Sequence, residues 1–160
     1  MRQDFETDNY IGVGEVATLH ILKHLTGLPH VSLKKFGIMN GIFTQVPIEW
    51  IMSQRNLELL SKMHRRSSVD LFIQLNQIRI AVRVQGEGHG FGLRGIGKAK
   101  MDNIQRLYLQ DSGVQVVDIK LIECKEVFKE RVTNKAINEV IESFRTDKVL
   151  IPELVYKGHE

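Results

Sequence analysis

Residues 68 to 100 have the sequence SVDLFIQLNQIRIAVRVQGEGHGFGLRGIGKAK, and this stretch decides the expected fold. Two runs rich in β-branched and apolar residues, Val69–Leu75 and Ile78–Gln85, are separated by Asn76-Gln77. This pattern predicts an antiparallel hairpin with a short turn. Six glycines between Gly86 and Gly97 follow the second run. Apolar residues at helical spacing then predict a helix from Lys98 to Gln110.

The remaining elements follow from hydrophobic periodicity on either side of the hairpin. Helices are predicted at Val13–Leu25, Ser53–His64 and Thr133–Phe144, and a third strand at Val114–Ile119. Residues Leu28–Gln45 carry Pro29, Gly37 and Gly41 and are expected to be irregular or short β structure. The predicted order α, α, β, β, α, β, α indicates a mixed α/β fold with a small central sheet flanked by helices.

Length and composition bound the class of protein. The chain has 160 residues, 42% of them hydrophobic and 26% charged, which is ordinary for a globular protein. We expect one domain over residues 1–160, with a core of about residues 12–145 and a polar tail at 146–160. No run reaches the roughly 18 apolar residues needed to span a bilayer, and the first residues do not resemble a signal peptide.

The cysteine count and the net charge bear on the expected location and partners of the protein. The single cysteine, Cys124, excludes an internal disulfide and an all-cysteine metal site. We therefore expect a reducing location, the cytoplasm, or the host cytoplasm if the protein is viral. The net charge of +3 is compatible with nucleic acid binding but does not by itself require it.

The second strand of the hairpin carries polar residues that a buried strand does not need. Side chains alternate along a strand, so Arg83 and Gln85 share one face while valine and isoleucine occupy the other. Asp70 on the first strand is expected to point toward the same place. An unpartnered polar group in such a position costs a few kcal/mol, roughly 1–3 from mutational data. The hairpin therefore predicts a functional site.

This pattern resembles the PD-(D/E)XK nuclease superfamily, which includes restriction enzymes, archaeal-type Holliday junction resolvases and very short patch repair endonucleases. In that family an aspartate begins the second strand, and a carboxylate, any residue and then lysine or glutamine lie on the third. A glutamate on the preceding helix often joins them, a position that Glu15 matches here. The resemblance covers residues from about Gly14 to Phe144 and implies a restriction-endonuclease-like fold.

The resemblance implies a catalytic site made of Asp70, Gln85, Glu15 and Arg83. Asp70 and Glu15 would hold Mg²⁺, for which Mn²⁺ can substitute, and Gln85 would take the lysine position. Arg83 departs from the family because it stands where the second carboxylate belongs and cannot lose its proton. Three interpretations stay open. In the first, the Arg83 side chain points away from the site and Glu15 or Glu87 supplies the carboxylate. In the second, Arg83 binds a phosphate in a protein without catalysis, and in the third Arg83 is a substitution in an otherwise active enzyme.

The partner that this resemblance implies is DNA, as a substrate of a metal-dependent endodeoxyribonuclease. A Holliday junction resolvase is the most similar type, which implies a branched or four-way junction and a two-fold homodimer. No membrane partner is expected. The candidate DNA-binding residues are basic or histidine side chains near the hairpin and the glycine-rich segment: Arg65, Arg66, His89, Arg94, Lys98 and Lys100.

Two alternatives come from other classes of protein. Gly90, Gly92 and Gly95 match the spacing of a dinucleotide-binding fingerprint, and Asp118 at the end of the next strand is placed to bind a ribose. Against this reading, the first strand forms a hairpin, and only 42 residues follow Asp118. A non-catalytic interaction domain is the other alternative.

Overall fold

A computed structural model describes residues 2–3, 10–11, 13–85, 92–120 and 134–152, with side chains described for residues 14–84, 100–120 and 134–152. The elements in chain order are β1 (Arg2–Gln3), β2 (Tyr10–Ile11), α1 (Val13–Thr26), β3 (Gly41–Pro47), α2 (Gln54–Leu59), α3 (Lys62–Arg65), β4 (Ser68–Leu75), β5 (Ile78–Gln85), α4 (Gly92–Asp111), β6 (Gln115–Lys120) and α5 (Asn134–Thr146). Strands β1 and β2 form a small antiparallel pair by themselves.

The described sheet that organises the fold has four strands in the order β3-β4-β5-β6. The first three strands are antiparallel to their neighbours, whereas β6 runs parallel to β5. A parallel pair needs a crossover connection, and α4 provides it between β5 and β6. The predicted α/β class, with a small mixed sheet flanked by helices, is therefore confirmed.

The predicted hairpin is confirmed. Leu75 pairs with Ile78 across a turn formed by Asn76 and Gln77, and Asn76 has a φ of 56°, in the left-handed region that asparagine tolerates better than most residues. Helix α1 also matches its prediction. It is closed by Gly27, whose φ is 75° and whose N–H donates to the carbonyl of Lys23 at 2.9 Å.

Residues Leu28–Gln45, expected to be irregular or short β structure, contain a short 3-10 helix at Leu33–Lys35 and most of β3, which begins at Gly41, where a Cβ atom would collide with Val31. Two predicted helices were wrong in extent. The helix predicted at Ser53–His64 is two helices, since Ser61 caps the N-terminus of α3 directly after α2 ends. Helix α4 begins at Gly92, six residues before the predicted start, despite the low helix propensity of its glycines.

The sheet separates two hydrophobic clusters. On one face, α1 and α5 cover a cluster that includes Leu71 and Val82; Val149, expected in the polar tail, is buried there as well. On the other face, α2 and α4 cover a cluster that includes Phe72 and Ala81. Alternation along β4 and β5 thus supplies both cores from neighbouring residues.

In the described part of the chain, no helix is both long enough and apolar enough to cross a membrane.

Candidate functional site

The candidate site lies where β4 and β5 separate. Their described pairing ends at Leu71 and Val82, although β4 begins earlier and β5 continues further. The carboxylate of Asp70 occupies this opening, and its Oδ2 accepts the backbone N–H of Val84 at 2.8 Å. A side-chain oxygen therefore replaces a strand partner and fixes the carboxylate at the point of separation.

The neighbouring strand has an unusual conformation beside Asp70. Gln45 and Asp70 are the residues between two paired positions of β3 and β4, at Thr44–Leu71 and Val46–Val69. Gln45 has a φ of 51°, which for a residue other than glycine costs about 1–3 kcal/mol. Such a conformation inside a strand is often found at functional sites.

This conformation changes the alternation of β3. Phe43 and Val46 are three residues apart, yet both pack in the cluster beneath α2 and α4. Val69 and Phe72 on β4 show the same spacing in the same cluster. Strict alternation would place residues three apart on opposite faces. Both strands therefore reset their alternation at the level of Asp70.

Glu15 reaches this point from α1 through a chain of hydrogen bonds. The side-chain amide of Gln45 donates from Nε2 to Glu15 Oε1 at 2.7 Å. The hydroxyl of Ser68 donates to Gln45 Oε1 at 2.9 Å. All three side chains are half-buried. Because Gln45 is a cross-strand neighbour of Asp70, the two predicted metal-binding carboxylates come from α1 and β4 to one region of the fold.

The side chain of Arg83 binds residues of β6 and α4. Its side chain is buried and forms two bonds to Asp118, Nε–Oδ1 at 2.6 Å and Nη2–Oδ2 at 2.9 Å. Its Nη1 donates to the carbonyl of Asp102 at 2.6 Å and to Gln105 Oε1 at 3.2 Å, both on α4. Arg83 therefore faces α4, whereas Glu15 belongs to α1 on the other face of the sheet.

Asp118 is shared by two arginines. Arg106 Nη2 lies 2.7 Å from Asp118 Oδ2 and 3.3 Å from Asp147 Oδ1. Asp147 Oδ2 in turn accepts the backbone N–H of Asp118 at 2.8 Å. With Arg83, these side chains form a group of two cations and two anions, which we call the arginine–aspartate network. Its formal charge is zero.

The contacts of this network shift the pKa values of Asp118 and Arg106. Burial acts to raise the pKa of Asp118, but the hydrogen bonds and charges of Arg83 and Arg106 hold it below its usual value. Burial acts to lower the pKa of Arg106, and Asp118 and Asp147 overcome this and raise it. Both shifts favour the charged forms. The cation at position 83 is thus neutralised on the α4 side of the sheet.

The other predicted site residues are less closely described. Gln85 pairs in register with Lys120 on β6, but its side chain lies outside the described residues. Glu87 and His89 lie outside them entirely. Arg94 and Lys98 belong to α4, again without described side chains, and Lys100 is exposed on the same helix: the structure groups these three on one element.

Arg65 and Arg66 lie just before β4. Arg65 is half-buried, and its Nε donates to the carbonyl of Leu60 at 3.1 Å, so this side chain holds the turn between α2 and α3. Arg66 is exposed and lies two residues before Ser68, a member of the hydrogen-bonded chain beside Asp70. Of the pair, Arg66 is the better placed to meet a ligand.

The dinucleotide alternative rests on Gly92, the first residue of α4, and on Gly95 in its first turn; Gly90 lies outside the described residues. The carboxylate of Asp118 is held by Arg83 and Arg106. A ribose hydroxyl would have to compete with both cations for this carboxylate.

The sequence did not predict the roles of Gln45, Ser68 and Asp118 in these contacts. Asp118 could have been found, because a parallel β5–β6 pair places it in register with Arg83. No signal marks Gln45, since its importance rests on a backbone angle. No family model matches the chain, and no curated protein or solved structure matches it.

Proposed function

We propose that this protein is a DNA-binding, metal-dependent endodeoxyribonuclease with a restriction-endonuclease-like fold, acting on branched DNA such as a four-way junction. The observation that carries the proposal is the placement of Asp70 and Glu15. Asp70 lies where β4 separates from β5, and Glu15 contacts Gln45, the β3 neighbour of Asp70, while Arg83 is bound by Asp118 on the far face of the sheet.

The sheet order supports this fold. With β3 present, Asp70 lies near the start of the second strand of the four-stranded sheet, and Arg83 and Gln85 lie on the third. The family pattern places its aspartate and its carboxylate-X-lysine residues on those two strands. Helix α1 carries Glu15 ahead of the sheet, as that pattern also expects.

The carboxylates fit Mg²⁺ as a site with few protein ligands. Asp70 and Glu15 supply hard oxygen atoms, and each has one oxygen oriented by an N–H donor. Mg²⁺ is commonly held by one or two carboxylates while it keeps several waters. Bound there, the ion would polarise a phosphodiester and lower the pKa of a water.

The main objection to a metal ion at this site is the positive charge of Arg83, and the ion pair with Asp118 answers it. A lone cation about 4 Å from a divalent ion would oppose it by about 8 kcal/mol at an effective dielectric near 20. Arg83 is not a lone cation, because Asp118 takes both prongs of its guanidinium. Two of the candidate DNA-binding side chains, Arg66 and Lys100, are exposed and would contact the phosphate backbone. A homodimer would cut the two strands symmetrically.

One observation favours a second candidate, a DNA-binding protein on this fold without catalysis. Within the described residues, no group of three or more histidine, cysteine, aspartate or glutamate side chains is placed to hold a metal ion. Under this reading the same basic residues bind DNA, and Asp70 supports the strand separation through Val84.

The test compares wild type with Asp70→Asn on a four-way junction and on duplex DNA, with Mg²⁺ or Mn²⁺. Asparagine keeps the acceptor for the Val84 N–H but loses the charge. We expect cleavage to fall more than about a hundredfold, since even outer-shell partners of a metal are worth ten- to hundredfold. Binding, measured by fluorescence anisotropy in EDTA, should be retained. Glu58→Gln, which removes an exposed acid on α2, is the matched control.

Each result selects one reading. Equal cleavage by wild type and Asp70→Asn would show that the site is elsewhere. Binding without cleavage by either protein, with every metal, would favour the non-catalytic candidate. Absence of DNA binding would overturn both.

A further inference from the structure

Gln45 has a positive φ inside a strand, where residues other than glycine rarely have one. Among the described residues other than glycine, three have positive φ: Gln45, Asn76 and Lys148. Asn76 lies in the hairpin turn and Lys148 follows the end of α5, where such angles are common. Gln45 lies inside β3, with paired residues on both sides.

The side chain of Gln45 uses both ends of its amide. Its Nε2 donates to Glu15 and its Oε1 accepts from Ser68. Chemistry fixes this orientation, because a carboxylate accepts only and a hydroxyl is able to donate. In the flipped amide, an oxygen would face the oxygen of Glu15. The amide is therefore held as a donor to Glu15.

The unusual φ and the contact are connected. Resetting the alternation at Gln45 lets Val46 pack with Phe43 beneath α2 and α4, while Gln45 reaches Glu15 on the α1 side. With regular alternation, residues 43 and 46 would lie on opposite faces. The strand thus accepts an unfavourable backbone angle at the residue that contacts Glu15.

We propose that Gln45 is a positioning residue for a divalent cation: its amide holds the carboxylate of Glu15 beside Asp70, so that both carboxylates bind the same ion. This inference rests on the proposed function. Gln45 itself does not touch the ion; it acts through Glu15, and Ser68 acts through Gln45.

The experiment uses Gln45→Gly and measures Mn²⁺ affinity of the full chain by titration calorimetry without DNA. Glycine adopts positive φ without penalty, so the variant keeps the backbone conformation and loses the side chain with its amide. We expect Mn²⁺ to bind ten- to hundredfold more weakly, the usual cost of losing an outer-shell partner. Asn76→Gly, the same kind of change at a positive φ in the hairpin turn, should leave Mn²⁺ affinity unchanged.

Urea unfolding without metal separates positioning from stability. Gln45→Gly should unfold at a urea midpoint close to that of wild type, because relief of the backbone angle offsets the lost hydrogen bonds. If the glycine variant does not fold, Gln45→Asn takes its place. Asparagine tolerates positive φ and is one methylene too short for the same contact with Glu15.

The outcomes distinguish this inference from the proposed function. Mn²⁺ affinity of the folded variant equal to that of wild type would overturn the positioning role and leave the nuclease proposal standing. Absence of Mn²⁺ binding by wild type would overturn both. Weaker Mn²⁺ binding with an unchanged unfolding midpoint would support both.

Discussion

Arg83 and Asp118 are register partners on the parallel strands β5 and β6, and their side chains form a two-pronged ion pair. The arginine that departs from the nuclease pattern therefore has its own carboxylate beside it. Two prongs restrict the guanidinium in direction as well as distance. Position 83 and position 118 are best understood as one unit, anchored to α4 by Gln105 and the carbonyl of Asp102.

Arg83→Ala is expected to lower the free energy of unfolding by about 3 kcal/mol or more, because removing one partner leaves a buried charge less well compensated. Urea denaturation measures this. Arg55→Ala is the matched control, since Arg55 pairs with Asp111 at 2.8 Å but the two side chains are 79% and 51% exposed. That loss should stay below about 1 kcal/mol. Equal losses would contradict a structural role for the buried pair.

Arg83→Glu would place a carboxylate where the nuclease pattern has one, yet we expect this variant neither to fold stably nor to gain cleavage. The new carboxylate would face Asp118, and like charges about 4 Å apart repel by about 4 kcal/mol at an effective dielectric near 20. Combining Arg83→Glu with Asp118→Arg should recover part of the stability in urea. A stable single variant that cleaves junctions better than wild type would refute this account.

Stability should fall at acidic pH because of Asp118. Its pKa is lowered in the folded protein, so the unfolded chain binds more protons as the pH falls below about 4, the usual value for aspartate. The contribution is present above that pH and is lost as the pH falls through the folded pKa. Urea unfolding of wild type and Asp118→Asn between pH 3 and 6, a range chosen about that usual value, should show a smaller pH dependence in the variant. Identical pH profiles would argue against the shift.

Asn56→Ala is expected to cost about 1–3 kcal/mol of stability, because the buried amide joins α2 to the end of α4. Its Nδ2 lies 3.2 Å from the carbonyl of Tyr108, 3.0 Å from Asp111 Oδ2 and 3.2 Å from Ser112 Oγ. Asn103→Ala, on the exposed side of α4, should be neutral or slightly stabilising in the same urea experiment. Similar losses of stability in both variants would mean that the contacts of Asn56 do not stabilise the packing of α2 against α4.

Under the proposed function, Arg66→Gln should weaken DNA binding. The slope of the logarithm of the binding constant against the logarithm of salt concentration should become shallower by about 1, the loss of one phosphate contact. Anisotropy titrations over a range of salt concentrations give this slope. Arg145→Gln removes an equally exposed cation from α5 and should change neither quantity. A slope unchanged by Arg66→Gln would exclude that side chain from the DNA contact.

Local pattern was sufficient for the elements whose signal is strong. The hairpin and α1 were predicted because their apolar spacing and turn residues agree. The bounds of strand β3 were not predicted, because its side chains are buried on both faces and its alternation breaks at Gln45. The start of α4 was not predicted, because the low helix propensity of its glycines favours a loop when the sequence is considered alone.

The sequence by itself determined the hairpin, helix α1 and the polar residues on β5, including the arginine at position 83. The tertiary structure decided which charges meet. Arg83 pairs with Asp118 only because β6 runs parallel to β5 and α4 packs over both strands. Glu15 contacts Gln45 only because α1 packs on the opposite face of the sheet. The physical reason is that an ion pair or hydrogen bond acts over a few ångströms, so residues 30 or 35 positions apart in the chain meet only after the sheet has formed.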